Sequence, residues 1–138
     1  MHMYDTILVA TDGSEAADRA VEHARSVAET FDANLYGLYV IDTGRYGKSM
    51  VDESTGVLEE LEERGGDLLD ELDQGATVDV TTEIRRGRPH EEIDRCADEI
   101  DADLIVIGNR GLGAAPDGQI GSVAERVVRN VDRPVITA

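Results

Sequence analysis

The sequence predicts an α/β fold in a single domain, residues 1–138: an open five-stranded parallel sheet in the order 3-2-1-4-5 with helices on both faces. Three observations predict it. Apolar residues fall into short runs that alternate with stripes at i, i+3, i+4 spacing, giving the element order β-α-β-α-β-α-β-α-β. Two of those runs, Ile7 to Ala10 and Leu104 to Ile107, are continuous, as strands buried on both faces require. At 138 residues the chain has the usual size for one hydrophobic core. Right-handed crossovers then most simply give the order 3-2-1-4-5, whose direction reverses between strands 1 and 4.

Taken in order, strand 1 ends at Thr11-Asp12-Gly13-Ser14, a turn in which Ser14 is the expected N-cap of a helix striped by Ala17, Ala20, Val21, Ala24, Val27, Ala28 and Phe31. Leu35 to Ile41 reads as strand 2, and Asp42 to Ser54 as a long loop. Val57, Leu58, Leu61, Leu68, Leu69 and Leu72 mark a second helix, which Gly65-Gly66 weakens by ~1 kcal/mol per glycine relative to alanine. Val78, Val80 and Ile84 alternate with polar residues as in a strand near the sheet edge. Pro89, Glu91 and Glu92 form a good first helical turn, with Ile93, Cys96, Ala97 and Ile100 as that helix's buried face. After Leu104 to Ile107, a glycine-rich loop leads into a helix carrying Val123, Ala124, Val127, Val128 and Val131, and Val135 to Thr137 is a last short strand.

Charge narrows the function. The net charge is −17, and of 13 basic residues only Lys48 is lysine. A field of that sign repels phosphate backbones and anionic lipid, so neither nucleic acid nor a membrane is an expected partner. The profile resembles cytoplasmic proteins of extreme halophiles. A lone Cys96 excludes an internal disulfide and fits a reducing compartment, so a cytoplasmic location is expected. Cys96 reads as core, His23 and His90 as surface residues, and Arg85, Arg86 and Arg88 as a charge-balancing cluster.

Ligands of open α/β sheets bind beyond the strand carboxyl ends where the order reverses, which directs attention to Thr11–Ser14 and to the loop from Gly108 to Ser122. That loop reads Gly108-Asn109-Arg110-Gly111, nine residues, then Gly121-Ser122. Glycines admit a ligand to backbone N–H groups, and the N–H groups of Gly121, Ser122 and Val123 lie at the positive end of a helix, the chemistry of a phosphate cradle. The loop is neither a Walker A motif nor a Rossmann fingerprint.

Both motifs, together with length and element order, resemble the ATP-binding branch of the universal stress protein family. The resemblance implies an adenine nucleotide alpha hydrolase-like fold. It also implies roles by position: Asp12 and Gly108 at the ribose, the backbone of Val40 at the adenine edge with Ala10 and Thr11 lining that pocket, Gly111, Gly121, Ser122 and Val123 at the phosphates with Arg110, and Ile107 among the nucleotide-binding residues. ATP with Mg²⁺ or Mn²⁺ is the implied cofactor, and antiparallel pairing of Val135 to Thr137 across a two-fold axis the implied homodimer contact. Ala124 stands where the family commonly has a hydroxyl residue. The expected role is nucleotide-responsive and regulatory. Because no general base or arginine finger is legible near the cradle, fast catalysis is not expected, and slow hydrolysis or adenylyl transfer is one alternative. A nucleotide-free dimerisation module is the other.

Overall fold

A computed structural model of the chain describes residues 3–46, 56–111 and 120–138. It contains β1 (Thr6–Thr11), α1 (Glu15–Phe31), β2 (Asn34–Asp42), α2 (Val57–Gln74), β3 (Val80–Gly87), α3 (Pro89–Ile100), β4 (Leu104–Ile107), α4 (Ser122–Asn130) and β5 (Val135–Thr137). The sheet runs β3-β2-β1-β4-β5 and every neighbouring pair is parallel, as the alternation of runs and stripes predicted. Among the described residues no helix is long and apolar enough to cross a membrane.

The pleat divides the core in two. Ile7, Val9, Leu35 and Val106 face α1 and α2, where they meet Ala20, Ala24, Ala28 and Leu72. Leu8, Leu38, Ile105 and Ile107 face α3 and α4, against Ile93, Cys96, Ala97 and Val127. Every residue of β4 is buried, which is why its sequence is a continuous apolar run. The alanines of α1 carry so little side chain that the helix backbone can lie close to β1.

Local chemistry sets the boundaries. Ser14 caps α1 as expected, its Oγ accepting the Ala17 N–H at 3.1 Å. Asp32 and Asp101 end α1 and α3 in the left-handed region at φ 52°, a conformation that aspartate tolerates better than most residues. Neither α1 nor α2 has a basic residue in its last turn. The end of α2 is instead capped from outside: Arg25 of α1 donates to the Glu71 carbonyl at 2.7 Å and to the Leu72 carbonyl at 3.1 Å. Gly65 also has a packing reason, because the Tyr39 ring occupies the space of its Cβ, with Cε1 2.8 Å from that point. Nothing in the structure explains Gly66.

Three expectations change. The stretch predicted as a loop from Asp42 begins instead with a helical turn, Thr43–Tyr46, initiated by the Asp42 carboxylate accepting the Gly44 N–H at 2.9 Å. Residues 47–55 of that loop lie outside the described residues, as do 112–119 of the glycine-rich loop. Val78 packs on the core but precedes β3, which starts at Val80. Val128, included in the stripe of the last helix, is 48% exposed, because only Ala124 and Val127 of α4 are fully buried.

Candidate functional site

The two sequence motifs meet at the carboxyl ends of β1 and β4, the strands between which the order reverses. In the turn after β1, the Asp12 carboxylate accepts the Ser14 N–H through Oδ1 at 2.9 Å, and Thr11 Oγ1 accepts the Gly13 N–H at 3.2 Å. Gly13 has φ +84°, a conformation that side chains rarely adopt. Ser14 Oγ reaches the Arg110 carbonyl at 3.5 Å, joining this turn to the loop after β4.

Each described glycine of that loop, Gly108, Gly111 and Gly121, has a neighbour where its Cβ would be. At Gly108 the backbone of α1's first turn intervenes, with Ala16 C and Ala17 N both 2.8 Å from the Cβ position. At Gly111 it is Asp12 Oδ2, at 3.0 Å, so the carboxylate of the first motif faces the second glycine of the other. At Gly121 the Arg110 Cα lies 3.1 Å away. These glycines let three backbone segments converge without side chains between them.

Gly121 also departs from the sequence-based role. It is the N-cap of α4, and its own N–H donates to the Asn109 carbonyl at 2.6 Å, so it is already engaged within the fold. The N–H groups left for an anion are those of the first helical turn, beginning with Ser122 and Val123, to which a glycine cap offers no side-chain acceptor. Ser122 is exposed and Val123 half-buried.

Ala10, Val40, Ile107 and Val123 come together on the sheet face covered by α3 and α4. Thr11 does not join them, since the pleat turns its side chain toward α1 and α2, where it lines a concavity of about 210 Å³ with Asp18, Arg25 and Leu68. Asn109, unremarked in the sequence, donates its N–H to the Ala138 carbonyl at 2.7 Å, and its Oδ1 is buried without a hydrogen-bond partner among the described residues. Arg64 of α2, likewise missed, extends over the Asp12-Gly13 turn. A lone basic residue on an acidic helix was the signal that could have found it.

The remaining candidates resolve as structural. Arg85 is held by Glu83 at 2.6 Å and by Glu99, Arg86 contacts Glu62 at 3.4 Å, and Arg88 faces Glu91 at 3.9 Å. Tyr36 donates to Glu83 at 2.7 Å; burial, then that hydrogen bond, pushes its phenol up to about 12. The Arg85 guanidinium holds the Glu83 carboxyl below its usual range. Cys96 is fully buried, which pushes its thiol up to about 11. Among the described residues no group of three or more His, Cys, Asp or Glu side chains is arranged to hold a metal ion.

Residues 3–138 match the model of the Universal stress protein family. A universal stress protein of Methanocaldococcus jannaschii is 35% identical, over 98% of this chain and 82% of that protein. Among solved structures, a hypothetical protein whose biochemical function was assigned from its structure superposes with a TM-score of 0.87 at 28% identity, covering 99% of this chain and 96% of that one. A universal stress protein in complex with cAMP gives 0.77 at 28% identity, with 99% and 97% covered. The universal stress protein from Archaeoglobus fulgidus in complex with dAMP gives 0.69 at 26% identity, with 98% of each chain covered.

Proposed function

Since this chain belongs to the universal stress protein family, we propose that it binds adenine nucleotides, ATP foremost, beyond the carboxyl ends of β1 and β4, and that it acts as a nucleotide-responsive stress protein. The observation that carries the reading is the approach of Asp12 Oδ2 to Gly111, which puts a carboxylate against a bare backbone at the reversal of strand order. The cAMP and dAMP complexes of similar proteins support the adenine class.

In this reading Asp12 accepts the ribose hydroxyls beside Gly108, while Ala10, Val40 and Ile107 provide the apolar floor beneath the adenine. Gly111, Ser122 and Val123 take the phosphates, with the dipole of α4 and the Arg110 charge offsetting the acidity of the surrounding surface. Gly121 contributes by absence, keeping Arg110 close to the cap. Mg²⁺ or Mn²⁺ would arrive on the phosphates, beside the exposed Ser122 hydroxyl.

Calorimetry in molar KCl with Mg²⁺ tests the reading. ATP should bind wild type. Asp12→Ala should weaken ATP and ADP alike, and Ser122→Ala should weaken ATP more than adenosine. A wild type that binds no adenine nucleotide overturns it and leaves the dimerisation module. Phosphate release over a long incubation with ATP reads out the slow-hydrolysis alternative.

We also propose a homodimer through β5. This strand sits at the sheet edge and among the described residues pairs only with β4, so its outer N–H and C=O groups face away from the sheet. With three residues it offers a short ladder, to which an exposed Val128 can add apolar contact. Sedimentation as a monomer at micromolar concentration in high salt would sink the dimer.

A further inference from the structure

Arg64 is the one basic residue of α2. Glu60 and Asp67, one turn behind and one turn ahead, stand at the spacing of intrahelical ion pairs. The guanidinium takes neither, and among the described residues it forms no ion pair. It lies instead over the turn between β1 and α1, with Nη2 3.5 Å from the Asp12 carbonyl oxygen. Its Cζ is 3.2 Å from the point where a Gly13 Cβ would be, and Leu68, one turn further along α2, brings Cδ1 equally close to the same point. Two residues at i, i+4 thus seat α2 on the bare Cα of a glycine at φ +84°.

A hydrogen bond of 3.5 Å is feeble alone. Here it acts with the packing on Gly13, and the two together restrain the peptide plane between Asp12 and Gly13. That plane sets where the Asp12 carboxylate points, since Oδ1 is tied to the Ser14 N–H in the same turn and Oδ2 faces Gly111.

We infer that Arg64 is a positioning residue for Asp12: laid over Gly13 and the Asp12 carbonyl, it holds the β1–α1 turn in the geometry that presents the Asp12 carboxylate to the ribose hydroxyls of a bound adenine nucleotide. The inference rests on the nucleotide reading above and deepens it. Arg64 acts through Asp12, so its effect is confined to what Asp12 recognises. A guanidinium acting instead as a phosphate counter-charge would be felt by any triphosphate regardless of its sugar.

The experiment compares ATP with 2′,3′-dideoxy-ATP, both with Mg²⁺ in molar KCl, by calorimetry on wild type, Arg64→Ala, Arg64→Lys, Asp12→Ala and the double variant Asp12→Ala with Arg64→Ala. Arg64→Ala should weaken ATP by about tenfold, the scale of one misaligned charged hydrogen bond. It should leave the dideoxy nucleotide unchanged, and in the double variant it should add nothing to Asp12→Ala. Arg64→Lys should fall between, since an ammonium keeps the charge and loses the flat contact. Equal losses for the two nucleotides, independent losses in the double variant, or ATP binding unchanged in Arg64→Ala overturn the inference. Amide exchange without ligand separates it from the reading on which it rests: Gly13 and Ser14 should exchange faster in folded Arg64→Ala, and unchanged exchange overturns the restraint whatever wild type binds. A wild type that binds neither nucleotide overturns the nucleotide reading, and with it the ribose role.

Discussion

Gly121 holds its place by closeness to other backbone and not by an unusual conformation, for its φ of −71° suits any residue. Gly121→Val should therefore leave the fold intact while displacing Arg110 and loosening the α4 cap. We expect ATP to bind about a hundredfold more weakly, corresponding to ~3 kcal/mol, with the thermal midpoint lowered only modestly by the loosened cap; calorimetry beside a melting curve checks both. The sequence places this glycine at the start of the last helix, as the structure does, but does not show that its N–H is engaged, because an internal acceptor such as the Asn109 carbonyl is created only when two distant segments meet. Arg64 escaped notice for the same reason. That Asp12, Gly108 and Gly111 lie just beyond the ends of β1 and β4 was legible, because their spacing is fixed within short segments next to recognisable strands.

Elements here are secured largely by side chains from other elements. Arg25 of α1 caps the carbonyls at the end of α2, so Arg25→Ala should fray that end and cost about 1 kcal/mol. Faster amide exchange confined to the last turn of α2 would identify the cause. On the opposite face, Tyr36 and Glu83 join β2 to β3, and Arg85 carries the network on to α3. A phenol whose folded pKa is about 12, against an ordinary value of 10.0, binds its proton more tightly in the folded state. Its contribution is thus fully present below pH ~10 and is lost as pH rises toward 12. Tyr36→Phe should flatten the fall in thermal midpoint across that window, and an unchanged profile would refute the assignment. The buried Cys96 thiol, raised to about 11, works in the same direction from a lower starting point. Strand order was readable from alternating periodicities, whereas this polar layer was not. The sequence shows that Glu83 and Arg85 share a face of an edge strand, but not that Glu99 of a helix lies against that face.

For the whole molecule the governing quantity is a net charge of −17 on 138 residues. Many ion pairs join exposed groups, such as Arg129 with Glu125 at 2.8 Å, and each contributes little on its own. Mutual repulsion among the remaining carboxylates should destabilise the fold in dilute buffer, and stability should climb steeply as KCl is raised. The screening length falls to about 3 Å at 1 M, so any rise beyond that concentration belongs to cation binding or hydration. A thermal midpoint flat from about 0.1 to 3 M KCl would refute the halophilic reading of the composition.

The backbone of Asn109 joins the two ends of this architecture. Its N–H holds the Ala138 carbonyl just beyond β5, while its carbonyl holds the N–H of Gly121 at the start of α4. Two peptide planes, each tied at its outer side, meet at the Asn109 Cα, and a ligand that draws the start of α4 inward would pull through that joint on the rim of the sheet. By thermodynamic reciprocity, whatever clasps that rim would change the ligand's grip by the same factor, so occupancy at one place would be legible as affinity at the other.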